Sequence, residues 1–304
     1  MILMLSFITG FYFVIIVTNI CLGQGWNPSN FSYNPGPNYE LVWQDVFENV
    51  GPSKAIIDGK PAYAPNPKNW ILKLGNPFGG IQNFTDQIEN AYIQNNQLTI
   101  VAMKEGYTSA MLSSVYLQEF TFGKFAAKIR LPYGQGMWPA FWLVGNAWDK
   151  YKLYWPTVGE IDIIETIGGH QWGTPNDRRA HCGIIWNNKS NTMSPIGKGE
   201  RGSFWMTPDG SMLHNNSLVY WLEWTPTNIS IGLNEFTYLQ FNTTNIPDSI
   251  NPVDAWAGKW PFYMILNIAI GGGWAGPPDN TTVWPQKMVV DWVRVDQLKK
   301  SNFG

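Results

Sequence analysis

Charge is scarce in this sequence. Asp, Glu, Lys and Arg make up 14% of its 304 residues, against about 25% in an ordinary soluble protein. The formal net charge is −2. No basic stripe is available to neutralise phosphates, so nucleic acid is excluded as a partner. Cysteine is nearly absent, with only Cys21 and Cys182. Cys21 lies in an apolar leader, which leaves Cys182 without an intramolecular disulfide partner. Such a chain must hold itself together by its core, and a domain of this length can do so. Cys182 is then expected as a small buried hydrophobe. Long helical periodicity, internal repeats and low-complexity linkers are missing as well, which points away from bundles, solenoids and multidomain arrays.

What is abundant is aromatic. The chain holds 17 Trp, 13 Tyr and 16 Phe, enough for a large aromatic core. Indoles also stack on the apolar C–H faces of sugar rings, so this composition suits a carbohydrate-handling protein. The N-terminus "MILMLSFITGFYFVIIVTNICLGQGW" is apolar to about Leu22 and reads as a secretory signal peptide over residues 1–23. No Lys or Arg precedes the apolar run and its length approaches a membrane span, so an uncleaved anchor is the alternative. Sequons at Asn30, Asn83, Asn188, Asn215, Asn228, Asn242 and Asn280 agree with a secreted glycoprotein. After cleavage no membrane partner is expected, and the protein is expected to be a monomer.

Residues 24–36 are rich in Pro, Gly, Asn and Ser and read as a leading loop. Beyond them come short β-branched and aromatic runs such as "YELVWQDVF", "QLTIVAM", "HCGIIW", "LVYWLEW" and "FYMILNIAI". Turn residues separate the runs. Many short strands between turn signals predict one β-sandwich or barrel domain over residues 37–298, with helix only in short turns and a tail at 299–304.

One run is unusual. "GEIDIIE" places Glu160, Asp162 and Glu165 inside what otherwise reads as a core strand. Strand side chains alternate, so Glu160 and Asp162 share a face and Glu165 falls on the other. A β-bulge at Ile163–Ile164 restores the parity and brings all three acids to one face. Like charges in a row repel and burial penalises their ionised forms, so at least one carboxyl is expected to keep its proton. That suits glycoside hydrolysis, which needs one ionised carboxylate and one carboxylic acid; in retaining enzymes they stand about 5–5.5 Å apart. A calcium site or a solvated acidic strand face are the alternatives.

With these residues in view, "GEIDIIE" resembles the E-x-D-x-x-E signature of glycoside hydrolase family 16, in its laminarinase and endo-β-1,3-glucanase branch. The lichenase branch has the shorter E-x-D-x-E. "FTFGKFAAKIRLPYGQGMWPAFWLVG", "WLEWTPTNISIGLN", "PFYMILNIAIGGGWAG" and "WPQKMVVDWVRV" are similar to other family segments, in order, over most of residues 39–297. The resemblance implies a concanavalin A-like β-jelly roll of two curved antiparallel sheets with a concave cleft for β-glucan. It implies Glu160 as nucleophile, Glu165 as general acid/base and Asp162 as the residue that tunes the pair. Trp138, Trp142 and Trp155 match aromatics beside the catalytic strand. Trp138 and Trp155 are the expected stacking residues, whereas Trp142 has core as its alternative. Trp274, in "GGGW", either lines the cleft or packs.

Asp291 matches a family position that shares a structural Ca²⁺ with backbone carbonyls; a solvated strand Asp is the alternative. The chemistry itself requires no cofactor. Three departures stand out. Ile185 occupies the position of a common family His, with His181 earlier on that strand. Ala126 replaces a usual Glu, and Asn234 stands where Asp-Gly is frequent. The expected activity is therefore that of a secreted retaining endo-β-1,3-glucanase, with mixed 1,3-1,4 glucan as a further substrate. The alternatives are a non-catalytic β-glucan recognition protein on the same scaffold, or a hydrolase or transglycosylase of another β-linked polysaccharide.

Overall fold

The computed structural model describes residues 31–77, 79–171, 174–187, 198–245 and 253–300, together with Trp26 and Pro28. The leader at 1–23 and the sequons Asn30 and Asn188 lie outside the described residues. In chain order the strands of the two large sheets are β1 (Tyr39–Asp45), β2 (Ile71–Leu72), β3 (Ala91–Gln94), β4 (Gln97–Ala102), β5 (Met111–Ser113), β6 (Glu119–Phe120), β7 (Gly123–Arg130) and β8 (Met137–Gly145). They continue as β9 (Glu160–Glu165), β10 (Arg179–Asn187), β11 (Lys198–Met206), β12 (Leu218–Trp224), β13 (Asn228–Leu233), β14 (Phe236–Asn242), β15 (Phe262–Ile270) and β16 (Gln286–Leu298). Described helices are single short turns, and none is long and apolar enough to cross a membrane.

These strands form two eight-stranded sheets, as expected for a jelly roll. The convex sheet runs β14-β13-β12-β7-β16-β4-β3, with β1 also paired to β16. The concave sheet runs β11-β10-β9-β8-β15-β5-β2, with β6 paired to β15. Tyr39 lies opposite Leu298 in the β1–β16 register, so the first and last of these strands pair side by side in the convex sheet.

Alternation along each strand builds the core. On β7, Phe125, Ala127 and Ile129 turn inward and are fully buried, while Lys124 and Lys128 turn out. On β8, Phe141 and Leu143 turn inward. Fully burying side chains of this kind contributes about 1.5–3 kcal/mol each. Trp186, Trp224 and Trp256 are also among the largest buried side chains, so part of the tryptophan content is core. Cys182 faces inward as a free, buried thiol whose pKa burial pushes up. Ala126 is fully buried on an outward position, with Trp221 and Arg294 as its cross-strand neighbours. Asn234 adopts φ 48° between β13 and β14, a conformation that Asn tolerates better than most residues.

Candidate active site

The acid-bearing strand, β9, contains the expected bulge. Against β8, Asp162 pairs with Trp142 and Ile164 with Phe141, leaving Ile163 as the extra residue. Against β10, Asp162 pairs with Gly183 and Glu165 with His181, so both isoleucines oppose Cys182 alone. Ile161, Ile163 and Ile164 are fully buried. Asp162 is 4% exposed, and all three acids line one cavity. The bulged strand is held from the opposite sheet: the hydroxyl of Tyr238 on β14 donates to the carbonyl of Ile163 at 3.1 Å. Burial raises the Tyr238 pKa well above its ordinary value, so the hydroxyl keeps its proton and remains a donor.

Two glycines bracket this strand. Gly159 has φ +83°, and a Cβ there would meet Phe262 at 2.9 Å and Ala255 at 3.1 Å. A Cβ on Gly168 would stand 1.7 Å from the carbonyl oxygen of Gly134. Asp177 pins the same region, accepting from the amides of Gly134 at 3.0 Å and Gly169 at 3.3 Å. Nothing in the local sequence pattern marked Asp177, because its partners come from two separate loops.

Each outer acid has an indole partner. Trp155 Nε1 donates to Glu160 Oε2 at 2.7 Å, and Trp138 Nε1 donates to Glu165 Oε1 at 2.8 Å. Trp155 is 48% exposed at the Glu160 end of the cleft. Trp142 is buried yet forms cleft floor, with Nε1 donating to Asn267 Oδ1 at 2.8 Å. Its two expected roles, core and cleft, therefore coincide. Trp274 sits in a one-turn helix, Gly272–Ala275, and packs edge-on against Trp138 at 5.3 Å and His181 at 5.0 Å. It supports the ring that bonds Glu165.

The cavity over β8, β15 and β5 measures about 570 Å³. Its lining adds Tyr263 and Asn267, which sequence reasoning had not singled out. Tyr263 is pushed up to about 12, first by burial and then by the charges of Tyr116, Glu119 and Glu160. Glu119 ties two chain segments together, accepting from the Tyr116 amide and from Asn146 Nδ2, each at 2.6 Å. Ile185, in place of the family His, pairs with Glu160, whereas His181 pairs with Glu165. Burial, and secondarily the charge of Arg179, lower the His181 pKa to about 4, so its ring is neutral near pH 7.

Asp291 lies far from this chemistry, on the outer face of the convex sheet. One carboxylate oxygen accepts from Gln97 Nε2 at 2.6 Å and the other faces Lys128 Nζ at 3.0 Å. These surroundings do not fit the expected Ca²⁺ site, because an ammonium already stands where the ion would compete. No cluster of three metal-ligating side chains occurs among the described residues. Asp291 is an ion-paired strand residue.

Comparison with known proteins agrees with this geometry. The profile of glycosyl hydrolases family 16 matches residues 80–294. A β-glucanase of Rhodothermus marinus is 32% identical over 269 residues, covering 85% of each chain. The crystal structure of the laminarinase from Rhodothermus marinus superposes with a TM-score of 0.69 at 30% identity, over 86% of this chain and 98% of that one. A β-1,3-glucan-binding protein of Penaeus monodon is 28% identical over 194 residues, 59% of this chain and 50% of that protein. With the family profile spanning both sheets and the three acids on one face of the cleft, the chain belongs to glycosyl hydrolase family 16.

Proposed function

We propose that this protein is a secreted, monomeric, retaining endo-β-1,3-glucanase that also accepts mixed 1,3-1,4 glucan. One observation carries the reading: Glu160 and Glu165 share a face of the bulged strand, each held by its own indole N–H. The similarity to glucan hydrolases supports the substrate class. In the first step the Glu160 carboxylate attacks the anomeric carbon of a glucosyl unit. The bond to the leaving oxygen breaks as Glu165 gives that oxygen its proton. In the second step Glu165 takes a proton from water, the water oxygen attacks the same carbon, and Glu160 is released. Two inversions retain the anomeric configuration.

Trp155 orients the nucleophile and Trp138 the acid, while Trp142 and Asp162 form floor between them. The cleft is expected to remain open at both ends, since endo attack requires chain on either side of the broken bond. Secretion rests on the leader and the sequons. Reducing ends should appear from laminarin, with nuclear magnetic resonance showing the β-anomer first. Glu160→Gln should abolish release while the protein still melts cooperatively. Continued release by that variant would refute the assignment of the nucleophile. Ile185 beside Glu160 favours one other reading, a β-glucan-binding protein without turnover. Retention on insoluble glucan with no product after prolonged incubation would support it.

A further inference from the structure

One edge of the convex sheet carries no charge. Strand β14, "FTYLQFN", ends that sheet and pairs only with β13 among the described residues. It contains no Lys, Arg, Asp, Glu, Pro or Gly. An uncharged end strand rich in aromatic side chains is the kind of edge to which another chain adds itself. The β13–β14 register slips once, at Tyr238, and runs regularly from Leu239 to Asn242. That regular stretch has none of the usual blunting devices, so its protection must come from elsewhere.

Two sequons meet at the end of this edge. Asn228, of Asn228-Ile229-Ser230, opens β13, and Asn242, of Asn242-Thr243-Thr244, closes β14. The register sets the two asparagines directly opposite each other. Side chains so paired leave the same face, with Cβ atoms about 4.5–5.5 Å apart. Ile229, between Asn228 and Ser230, is fully buried, so that face is the outer one. Both asparagines are exposed. Thr244 donates to Asn242 Oδ1 from its amide at 2.8 Å and its hydroxyl at 2.6 Å, which fixes the carboxamide with Nδ2 on the other side. Asn228 Nδ2 donates to the hydroxyl of its chain neighbour Thr227 at 3.1 Å. Glu223, Ser230 and Gln240 form the next row across the three strands. These residues and the asparagine pair line a hollow of about 530 Å³. Its carboxylate, hydroxyl and carboxamide groups suit the hydroxyls and acetamido group of an aminosugar. The hollow lies on the sheet opposite the one that carries the acids, so sugars there leave the cleft clear.

We propose that Asn228 and Asn242 both carry N-glycans, and that the pair shields the β14 edge from strand addition by another chain. This rests on the secreted, monomeric reading above, because the transfer belongs to the secretory pathway. The donor is a lipid-diphosphate-linked oligosaccharide. Asn Nδ2 bonds to C1 of its first N-acetylglucosamine, the C1–O bond to the diphosphate breaks, the amide loses one proton and the lipid diphosphate leaves. The fold must then leave room for what the chain already bears, and the hollow receives the first sugar. The remaining sugars are bulky and hydrated. They overhang the strand that ends the sheet, where a second chain would have to lie to pair with Leu239–Asn242.

For the test, the full chain is secreted from eukaryotic cells with its own leader. Its glycans are released by peptide-N-glycosidase in heavy-oxygen water, and the protein is cut after Glu and Lys. Cleavage at Glu223, Glu235 and Lys259 puts Asn228 and Asn242 on separate peptides, and both should appear as Asp bearing the heavy oxygen. Asn228→Gln with Asn242→Gln should shift the protein from monomer to larger species in size-exclusion chromatography. Ser230→Ala with Thr244→Ala removes both sequons by their other end and should do the same. Adding Gln240→Lys to either pair puts a charge on the edge and should restore the monomer. Asn228 or Asn242 unlabelled beside other labelled sequons overturns the paired site and leaves secretion standing. No label at any sequon overturns secretion, and the site with it. Labelled asparagines whose removal leaves a monomer overturn the shield, as do variants that fail to accumulate and that Gln240→Lys does not rescue.

Discussion

The hydroxyl of Tyr238 reaches across the sandwich and donates to the carbonyl of Ile163, the extra residue in the catalytic strand. A bulged residue loses its place in the ladder, so its polar groups need partners from elsewhere. Tyr238 and Ile163 are 75 positions apart, and the contact joins the convex sheet to the backbone that re-aims Glu165.

Tyr238→Phe keeps the ring and removes only that donor. A buried acceptor left unsatisfied costs about 1–3 kcal/mol, and chemical denaturation should show a loss in that range. The laminarin rate per folded molecule should fall as well, because Glu165 is aimed by the bulge. A stability loss with an unchanged rate would mean that the bulge holds its shape unaided.

The indole donors offer a cleaner test of the acid assignments. Trp138→Phe removes the N–H on Glu165 Oε1, and Trp155→Phe removes the one on Glu160 Oε2. A hydrogen bond to a charged group contributes about 1.5–3 kcal/mol, so each kcat should fall on the order of ten- to hundred-fold. The pH dependence separates them. Trp155→Phe withdraws a donor from a carboxylate that must be ionised, so the acidic limb of the profile should move to higher pH. Trp138→Phe should act on the opposite limb. Profiles that scale without moving would assign both rings to packing alone.

His181 provides a stability prediction with a definite sign. Its folded pKa of about 4 lies below the ordinary 6.5, so on acidification the unfolded chain takes up the proton first. Its contribution is therefore present in full above about pH 6.5 and is lost as pH falls toward 4, by at most about 3 kcal/mol. His181→Gln should flatten the fall in melting temperature between pH 6.5 and 4. An equally steep fall in the variant would place the acid sensitivity on other groups.

Much of the site is written in local spacing. Two residues separate Asp162 from Glu165 where a regular strand would allow one, and a bulge is the simplest repair. The register shows that repair at Ile163. Alternation likewise sorted Glu160 and Asp162 from Ile161. The individual indoles were harder. Trp138 and Trp155 stand out beside the acid triplet, yet which carboxylate each one bonds depends on how β8 and the loop after it turn. Trp142 could not be assigned to core or cleft from its strand, because a buried cleft floor is both.

Asp291 shows the limit from the other side. A resemblance at one position suggested an ion, but the neighbours that decide its chemistry are Gln97 and Lys128 on two other strands. His181 likewise owes its neutral ring first to burial, with Trp274 and Phe204 packed against it, and its place opposite Glu165 to the β9–β10 register.

By itself the sequence determined the all-β class, the shared face of the three acids and the family to which they belong. These follow from side-chain period and spacing, which act between near neighbours. The tertiary structure alone decided who holds each acid, what captures the bulged carbonyl, and which strands line the cavity. Those depend on contacts between strands far apart in sequence, where register and sheet packing, rather than local period, set which atoms meet.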